Sequence, residues 1–249
     1  MMRYRATLAY DGTAYQGFQR QAGETPTIQL TVERAIRRVS SQVVTVSGAG
    51  RTDTGVHASG QVIAFDVEWR HSDEALLRAI NANLPDDVAL QDIRQQPGFR
   101  PRFDARSRLY RYRVLVTAVR RPLERYRYWQ INYSLDEDLL GQSAGLLTGE
   151  HDFGAFGKPP RGDNTVRTVY QSMWSRTEAD VGVVWTYTVE ANAFLQHMVR
   201  RMVWMQVKVG QGRMGVEAFE ETFRRAQLAD LRSIAPAHGL TLEAVRYNE

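Results

Sequence analysis

The chain has 249 residues, 43% of them hydrophobic, with no cysteine and a formal net charge of +4. That length supports one large domain or two small ones around a self-sufficient core, and the missing cysteines exclude disulfides, thiolate metal ligands and a thiol nucleophile. No segment approaches the ~18 uninterrupted apolar residues of a membrane span, and MMRYRATLAY has no apolar run after its charges, so a soluble, unprocessed, cytoplasmic protein without membrane partners is expected.

Arg3 to Tyr10 alternates as a strand does, and Asp11-Gly12-Thr13 supplies a turn. Thr27, behind Pro26, caps a helix marked by Ile28, Val32, Ala35, Ile36 and Val39. Val43 to Val46 predicts a strand entering the Gly-rich stretch GAGRTDTGVH at 48–57, and Gln61 to Val67 a strand leaving it. Leu76, Leu77, Ile80 and Leu84 mark a second helix closed by Pro85, ahead of a short strand over Val88 to Ile93. After Pro97-Gly98, Leu109 to Val116 reads as a strand, and Ser134 with Glu137 as a capping box before Leu139, Leu140, Leu146 and Leu147. Val166 to Trp174 and Val183 to Ala191 follow as strands, Phe194 to Val209 as the most apolar helix, and Leu240 to Val245 as a closing strand.

Strand, helix, strand, strand, helix, strand is the ferredoxin-like order, and the second half roughly echoes the first. The expected fold is α+β: two ferredoxin-like (RRM-like) halves, 1–105 and 106–249, whose antiparallel sheets form a central cleft with helices on the outer face. The Pro-Pro-Arg-Gly-Asp-Asn run at 159–164 reads as an exposed loop, and its Arg161-Gly162-Asp163 carries no adhesive meaning. Asp152-Phe153-Gly154 lacks the other kinase signatures and carries little weight.

Charge is unevenly placed. Between Arg94 and Arg127 stand eleven Arg against two acids, Asp104 and Glu124, interleaved with Tyr110, Tyr112 and Tyr126. Cations among aromatics suit a polyanion with stackable bases, which describes RNA better than a membrane surface. An arginine-rich solvated sheet face fits the same pattern.

The Gly-rich stretch is no P-loop, because it lacks the Gly-Lys-Ser/Thr end and a following helix. His57, His71, His151, His197 and His238 lack the close pairing of a metal site, so neither metal nor cofactor is expected. What remains is Asp53, two residues after Arg51 in a turn that packs three glycines around it, Gly48 and Gly50 before and Gly55 after. Asp in such a turn most often bonds nearby amides; a nucleophilic role needs it ionised, which a neighbouring guanidinium favours.

The stretch GRTDTGVH closely resembles the active-site motif of the TruA-type tRNA pseudouridine synthases. Further matches run along nearly the whole chain: Tyr10-Asp11-Gly12-Thr13, Gln19-Arg20-Gln21, Asn81-Ala82-Asn83-Leu84-Pro85, Phe103-Asp104-Ala105-Arg106 with Tyr110-Arg111-Tyr112, His151-Asp152-Phe153, Asn192-Ala193-Phe194 with His197-Met198-Val199-Arg200, and Gly239-Leu240. The resemblance implies isomerisation of uridine to pseudouridine at positions 38, 39 and 40 of the tRNA anticodon stem-loop, by a homodimer and without a cofactor. It places the nucleophilic aspartate on Asp53, the active-site tyrosine on Tyr110 and the aspartate's basic partner on Arg200. Arg51, Thr52, His57 and Tyr110 are then expected to hold the substrate. Thr54 replaces the usual alanine, Phe18 a common tryptophan, and Trp204 a frequent glycine.

The residues also permit plainer readings. Tyr110 serves equally as a strand tyrosine filling a cleft wall, and helical periodicity puts Arg200 in a solvated arc with Gln196, His197, Arg201 and Lys208. A non-catalytic tRNA-binding module or a tRNA chaperone is the alternative function, although the aromatic RNP pattern of such modules is absent.

Overall fold

The computed structural model describes residues 1–159, 162–228 and 234–248. In chain order the elements are β1 (Met2–Tyr10), α1 (Ile28–Ser40), β2 (Ser47–Gly48), β3 (His57–Val67), α2 (Asp73–Asn81), β4 (Val88–Gln95), β5 (Ala105–Val116), β6 (Trp129–Ile131), α3 (Glu137–Gly145), β7 (Gly149–Asp152), β8 (Val166–Ala179), β9 (Gly182–Ala191), α4 (Met198–Gly210), α5 (Val216–Arg224) and β10 (Leu240–Tyr247). They form two compact units, Met1–Arg106 with Thr241–Glu249, and Ser107–Leu240. Pro160 and Arg161, in the loop expected at 159–164, lie outside the described residues. Among the described residues no helix is long and apolar enough to cross a membrane.

The first unit is the expected α+β arrangement. Alternation in β1 sends Tyr4, Ala6, Leu8 and Tyr10 inward, and β1 pairs antiparallel with β3 on one side and β4 on the other. β2 pairs antiparallel with β3 at Ser47 and Gly48, and β10 runs parallel to β3 at Thr241 and Leu242. That contact needs Gly60, where a Cβ would lie 2.2 Å from the Glu243 carbonyl oxygen. Thr27 caps α1 through Leu30 N–H, and Ser72 caps α2 through Ala75 N–H. Ile28, Val32, Ala35 and Ile36 of α1, with Leu76 and Ile80 of α2, bury their stripes in the core.

In the second unit β9 pairs antiparallel with β5 and β8, and β8 with β7, while β6 runs parallel to β5. Trp174 Nε1 donates to Gln206 Oε1 at 2.9 Å, which satisfies the oxygen of this buried amide on α4 and leaves its Nε2 without a partner among the described residues. Phe153, Phe156, Phe219 and Phe223 form a ring cluster with centroid separations of 5.1–6.3 Å. His151-Asp152-Phe153 thereby has a structural part at the end of β7: Phe153 is fully buried, and Asp152 Oδ1 accepts from Gly154 N–H at 2.8 Å.

Local expectations fail at several places. Val43 to Val46 is not a strand: Val46 N–H donates to Glu33 Oε1 and its carbonyl accepts from Gln29 Nε2, so side chains of α1 replace a ladder partner. The cap of α3 is Asp136, accepting from Leu139 N–H at 3.0 Å, two residues past Ser134. α4 begins at Met198 rather than Phe194, because His197 takes a left-handed φ of 63° and Gln196 bridges to Lys158. Finally, β8 runs five residues beyond Trp174, since the hairpin to β9 pairs it as far as Ala179.

Phe156 carries the clearest energetic expectation. It is fully buried, and Phe156→Ala should cost roughly 3 to 5 kcal/mol by leaving a cavity among Phe153, Phe219 and Phe223. Denaturant unfolding followed by near-UV circular dichroism checks this; an unchanged midpoint would contradict it.

Candidate active site

The stretch from Gly48 to His57 is seated main chain on main chain. Phe18 N–H donates to the Thr52 carbonyl at 3.1 Å and Gly55 N–H to the Tyr15 carbonyl at 3.4 Å. Two glycines on the segment beneath make the approach possible. A Cβ on Gly12 would lie 2.0 Å from the Val56 oxygen, and one on Gly17, at φ +82°, 2.8 Å from the Thr52 oxygen. Val56 N–H closes a turn onto the Asp53 carbonyl at 3.1 Å, with Gly55 at φ +77°.

Side chains secure the same loop from inside the unit. Tyr10 hydroxyl and Thr52 Oγ1 share a 2.8 Å hydrogen bond, and Gln61 Nε2 donates to the Gly50 carbonyl at 2.9 Å. Burial pushes the Tyr10 phenol up to about 12, against hydrogen bonds from Thr52 and Gln61 that lower it, so it stays neutral and able to donate. His57 is buried and its Nδ1 accepts from Gly12 N–H at 3.0 Å. The same nitrogen lies 3.0 Å from Asp11 Oδ1, and one ring nitrogen cannot serve both. Asp11 Oδ1 also accepts from the Thr13 amide and hydroxyl.

The underlying segment is itself clamped to α1. Glu33, 6% exposed, accepts from Arg20 Nη1, Gln29 Nε2 and Val46 N–H at 2.9, 2.9 and 3.0 Å. Gln29 Oε1 takes Arg20 N–H, and the carbonyls of Gly17 and Phe18 accept from the first amides of α1. A buried carboxylate with one guanidinium and two further donors is a satisfied one. Gln19-Arg20-Gln21 thus owes its arginine to Glu33.

The outcome for the loop is asymmetric. Thr52 and His57 turn inward, Arg51 is exposed, and Asp53 is half-buried. The Thr54 hydroxyl, exposed, lies 3.5 Å from Gln16 Oε1, at the limit of a hydrogen bond. Phe18 lies against Gly48, where a Cβ would meet its ring at 2.6 Å.

Tyr110 and Arg200 belong to the second unit. Tyr110, on β5 opposite Val189, is 8% exposed, with its ring edge-on to Phe194 at 5.1 Å. Arg200 is not in the solvated arc that periodicity predicts. Its Nε donates to the Ala235 carbonyl at 2.8 Å and its own carbonyl accepts from Ala235 N–H at 3.2 Å, because the chain before β10 crosses the start of α4. Tyr112 reinforces that crossing through a 2.7 Å bond to the Pro236 carbonyl, and Gly239 leaves room for its ring. Burial pushes the Tyr112 phenol well up, with the Arg200 charge pulling it back. Trp204 has found a partner, stacking on Trp129 at 5.5 Å and 18°.

The basic stretch divides. Arg94, Arg100, Arg102 and Arg106 are exposed in the first unit, and Arg111, Arg120, Arg121, Arg125 and Arg127 in the second. Arg108 is buried and donates to the Asn192 carbonyl at 2.8 Å.

Gln61 is the site-supporting residue that sequence reading passes over. It is fully buried, yet an isolated glutamine in a strand gives no signal of facing inward.

Comparison with known proteins gives a consistent picture. A family described as tRNA pseudouridine synthase matches residues 6–104 and 144–248. A protein of Neisseria gonorrhoeae named tRNA pseudouridine synthase A is 38% identical over 248 residues, covering 98% of this chain and 92% of the relative. Proteins of the same name from Methylacidiphilum infernorum and Pseudothermotoga lettingae are 39% and 36% identical, covering 98% and 99% of this chain and 95% and 100% of the relatives. A solved structure of a Cbf5-Nop10-Gar1 complex aligns over 82% of this chain and 54% of that one at 12% identity; its TM-score of 0.30 is too low to argue from.

The support beneath the loop yields a direct expectation. Tyr10→Phe strips Thr52 Oγ1 of its 2.8 Å partner in a buried setting, which should cost about 1 to 3 kcal/mol. Hydrogen exchange at the amides of 50–56 should accelerate; unchanged protection there would mean the hydroxyl pair does not hold the loop.

Proposed function

Because the chain belongs to the tRNA pseudouridine synthase family, we propose that it isomerises uridines 38, 39 and 40 in the anticodon stem-loop of tRNA, with Asp53 as the nucleophile. Membership makes the chain an isomerase acting on tRNA uridine; the target positions and the residue roles are our reading. The observation that carries it is the loop. A half-buried carboxylate stands after an exposed arginine, on a turn whose neighbours Thr52 and His57 are committed to holding it in place. Support of that kind on both sides of one carboxylate suits a reacting group better than a solvated turn aspartate.

The reaction breaks the bond from N1 to the sugar C1′, forms one from C5 to C1′, removes the C5 proton and leaves a proton on N1. Atoms and oxidation state are unchanged, so the residues need only supply a nucleophile and move a proton. Attack at C1′, attack at uracil C6 and proton removal toward a glycal all begin from the Asp53 carboxylate. Tyr110 takes the C5 proton, directly or through water. Arg200 serves in this reading as the aspartate's basic partner.

A uridine within a stem cannot present its sugar bond to a side chain, so the base is flipped out, and the exposed arginines of the basic stretch meet backbone phosphates. Asp53 belongs to the first unit, and Tyr110 and Arg200 to the second. Two copies act together on tRNA.

The test is tritium release from tRNA carrying C5-tritiated uridine, with purified protein and nothing else added. Wild type should release tritium from tRNAs with uridine at 38 to 40. Asp53→Asn should bind the same tRNA and release none, and Tyr110→Phe, which keeps the ring, should lose about 100-fold or more. Undiminished release by Asp53→Asn would remove that residue from the mechanism, and no release by wild type from any such tRNA would sink the reading.

A further inference from the structure

Phe103 is 75% exposed, although it belongs to a turn with little freedom. Arg100 N–H donates to Asp104 Oδ2 at 2.8 Å, and the amides of Phe103 and Asp104 both return to the Arg100 carbonyl at 3.0 Å. Below the turn, Phe99 is buried in a cluster with Ala49, Val62 and Ala64, against which Val245 and Tyr247 pack. Tyr247 hydroxyl donates to the Pro101 carbonyl at 2.8 Å, and Arg3 Nε to the Phe99 carbonyl at 2.7 Å. A ring held out of the core by a fixed turn calls for an occupant.

Its surroundings narrow the choice. The Arg100 and Arg102 guanidiniums lie 5.7 and 6.0 Å from the Phe103 centroid, and Arg94 and Arg106 are exposed on the same stretch. Within 94–106 no other large apolar side chain is exposed. A protein interface buries a contiguous apolar centre with charge kept to its rim. One ring among cations instead fits a polyanion whose units carry a flat π face, which is single-stranded RNA.

We propose that Phe103 is a stacking platform for an unpaired base of the tRNA substrate, with the flanking arginines taking the phosphates beside it. This rests on the tRNA reading above and adds a second contact to it. Ala49, in the Gly-rich loop, shares one buried cluster with Phe99, so the platform and the Asp53 loop have a common rigid support. A base stacked on Phe103 therefore sets the register of the strand relative to Asp53.

The full chain would be titrated against a labelled anticodon stem-loop RNA, comparing wild type, Phe103→Ala and Phe103→Trp. Stacking predicts a loss of roughly 5- to 100-fold for Phe103→Ala, an unchanged salt slope because no charge is lost, and near-normal affinity for Phe103→Trp. Replacing each unpaired loop nucleotide in turn with an abasic residue should weaken wild type at one position. In Phe103→Ala that same replacement should cost nothing further. Equal affinity of wild type and Phe103→Ala would overturn the platform while leaving the tritium-release reading intact. A change in sedimentation mass without a change in RNA affinity would overturn it too, assigning the ring to a protein contact. A wild-type protein that neither binds the stem-loop nor releases tritium would remove the platform together with the reading beneath it.

Discussion

Contact between two stretches of main chain, 12–18 and 52–56, is the constraint on which the first unit is organised. Gly12 and Gly17 let the carbonyls of Val56 and Thr52 come closer than any side chain would permit. Backbone groups brought that near must be paired or pay a desolvation cost, and Phe18, Gly55 and Val56 amides do the pairing. The seat is in turn fixed by Glu33, a buried carboxylate that gathers Arg20, Gln29 and Val46. Removing any one partner would leave polar atoms stranded in the interior, so the assembly is held as a whole.

The second unit uses a parallel device with different parts. Here the chain before β10 is laid over α4 by the Arg200 pair with Ala235 and by Tyr112 reaching Pro236. Gly239 once more marks a close approach, this time to a ring rather than a carbonyl. In both units a glycine and a tyrosine from the family-like motifs settle a loop, and the charged residue of interest is carried by what they settle. Several motif residues are thus scaffolding: Asn81, for example, pairs both ways with Leu90, and Asp152 caps its own turn.

Much of this was legible in the residues. β1, α1 and α2 follow from alternation, from Thr27 and Ser72 as caps, and from apolar spacing, because those signals are local. β6 and β7 were missed because three- and four-residue strands carry too few positions for a period. α5 was missed although Phe219 and Phe223 stand four apart, since only Gly215 marks its start. Helical periodicity alone puts Arg200 on the solvated side, because a helical wheel knows nothing of a segment 35 residues away. At the candidate site, Asp53 and Arg51 are marked by the motif, whereas Gln61 and the Glu33 network arise from tertiary packing. Thr54, an oddity in the sequence, has only a marginal contact with Gln16.

The role proposed for Asp53 depends on the seat beneath the loop. Single-turnover tritium release by Gly17→Ala, at saturating protein and with tRNA binding measured alongside, tests it most directly. Alanine at φ +82°, with its Cβ 2.8 Å from the Thr52 oxygen, must push the loop off its seat. tRNA affinity should stay within a few-fold of wild type while the chemical step slows by about 100-fold. A variant that binds and turns over at the wild-type rate would contradict it.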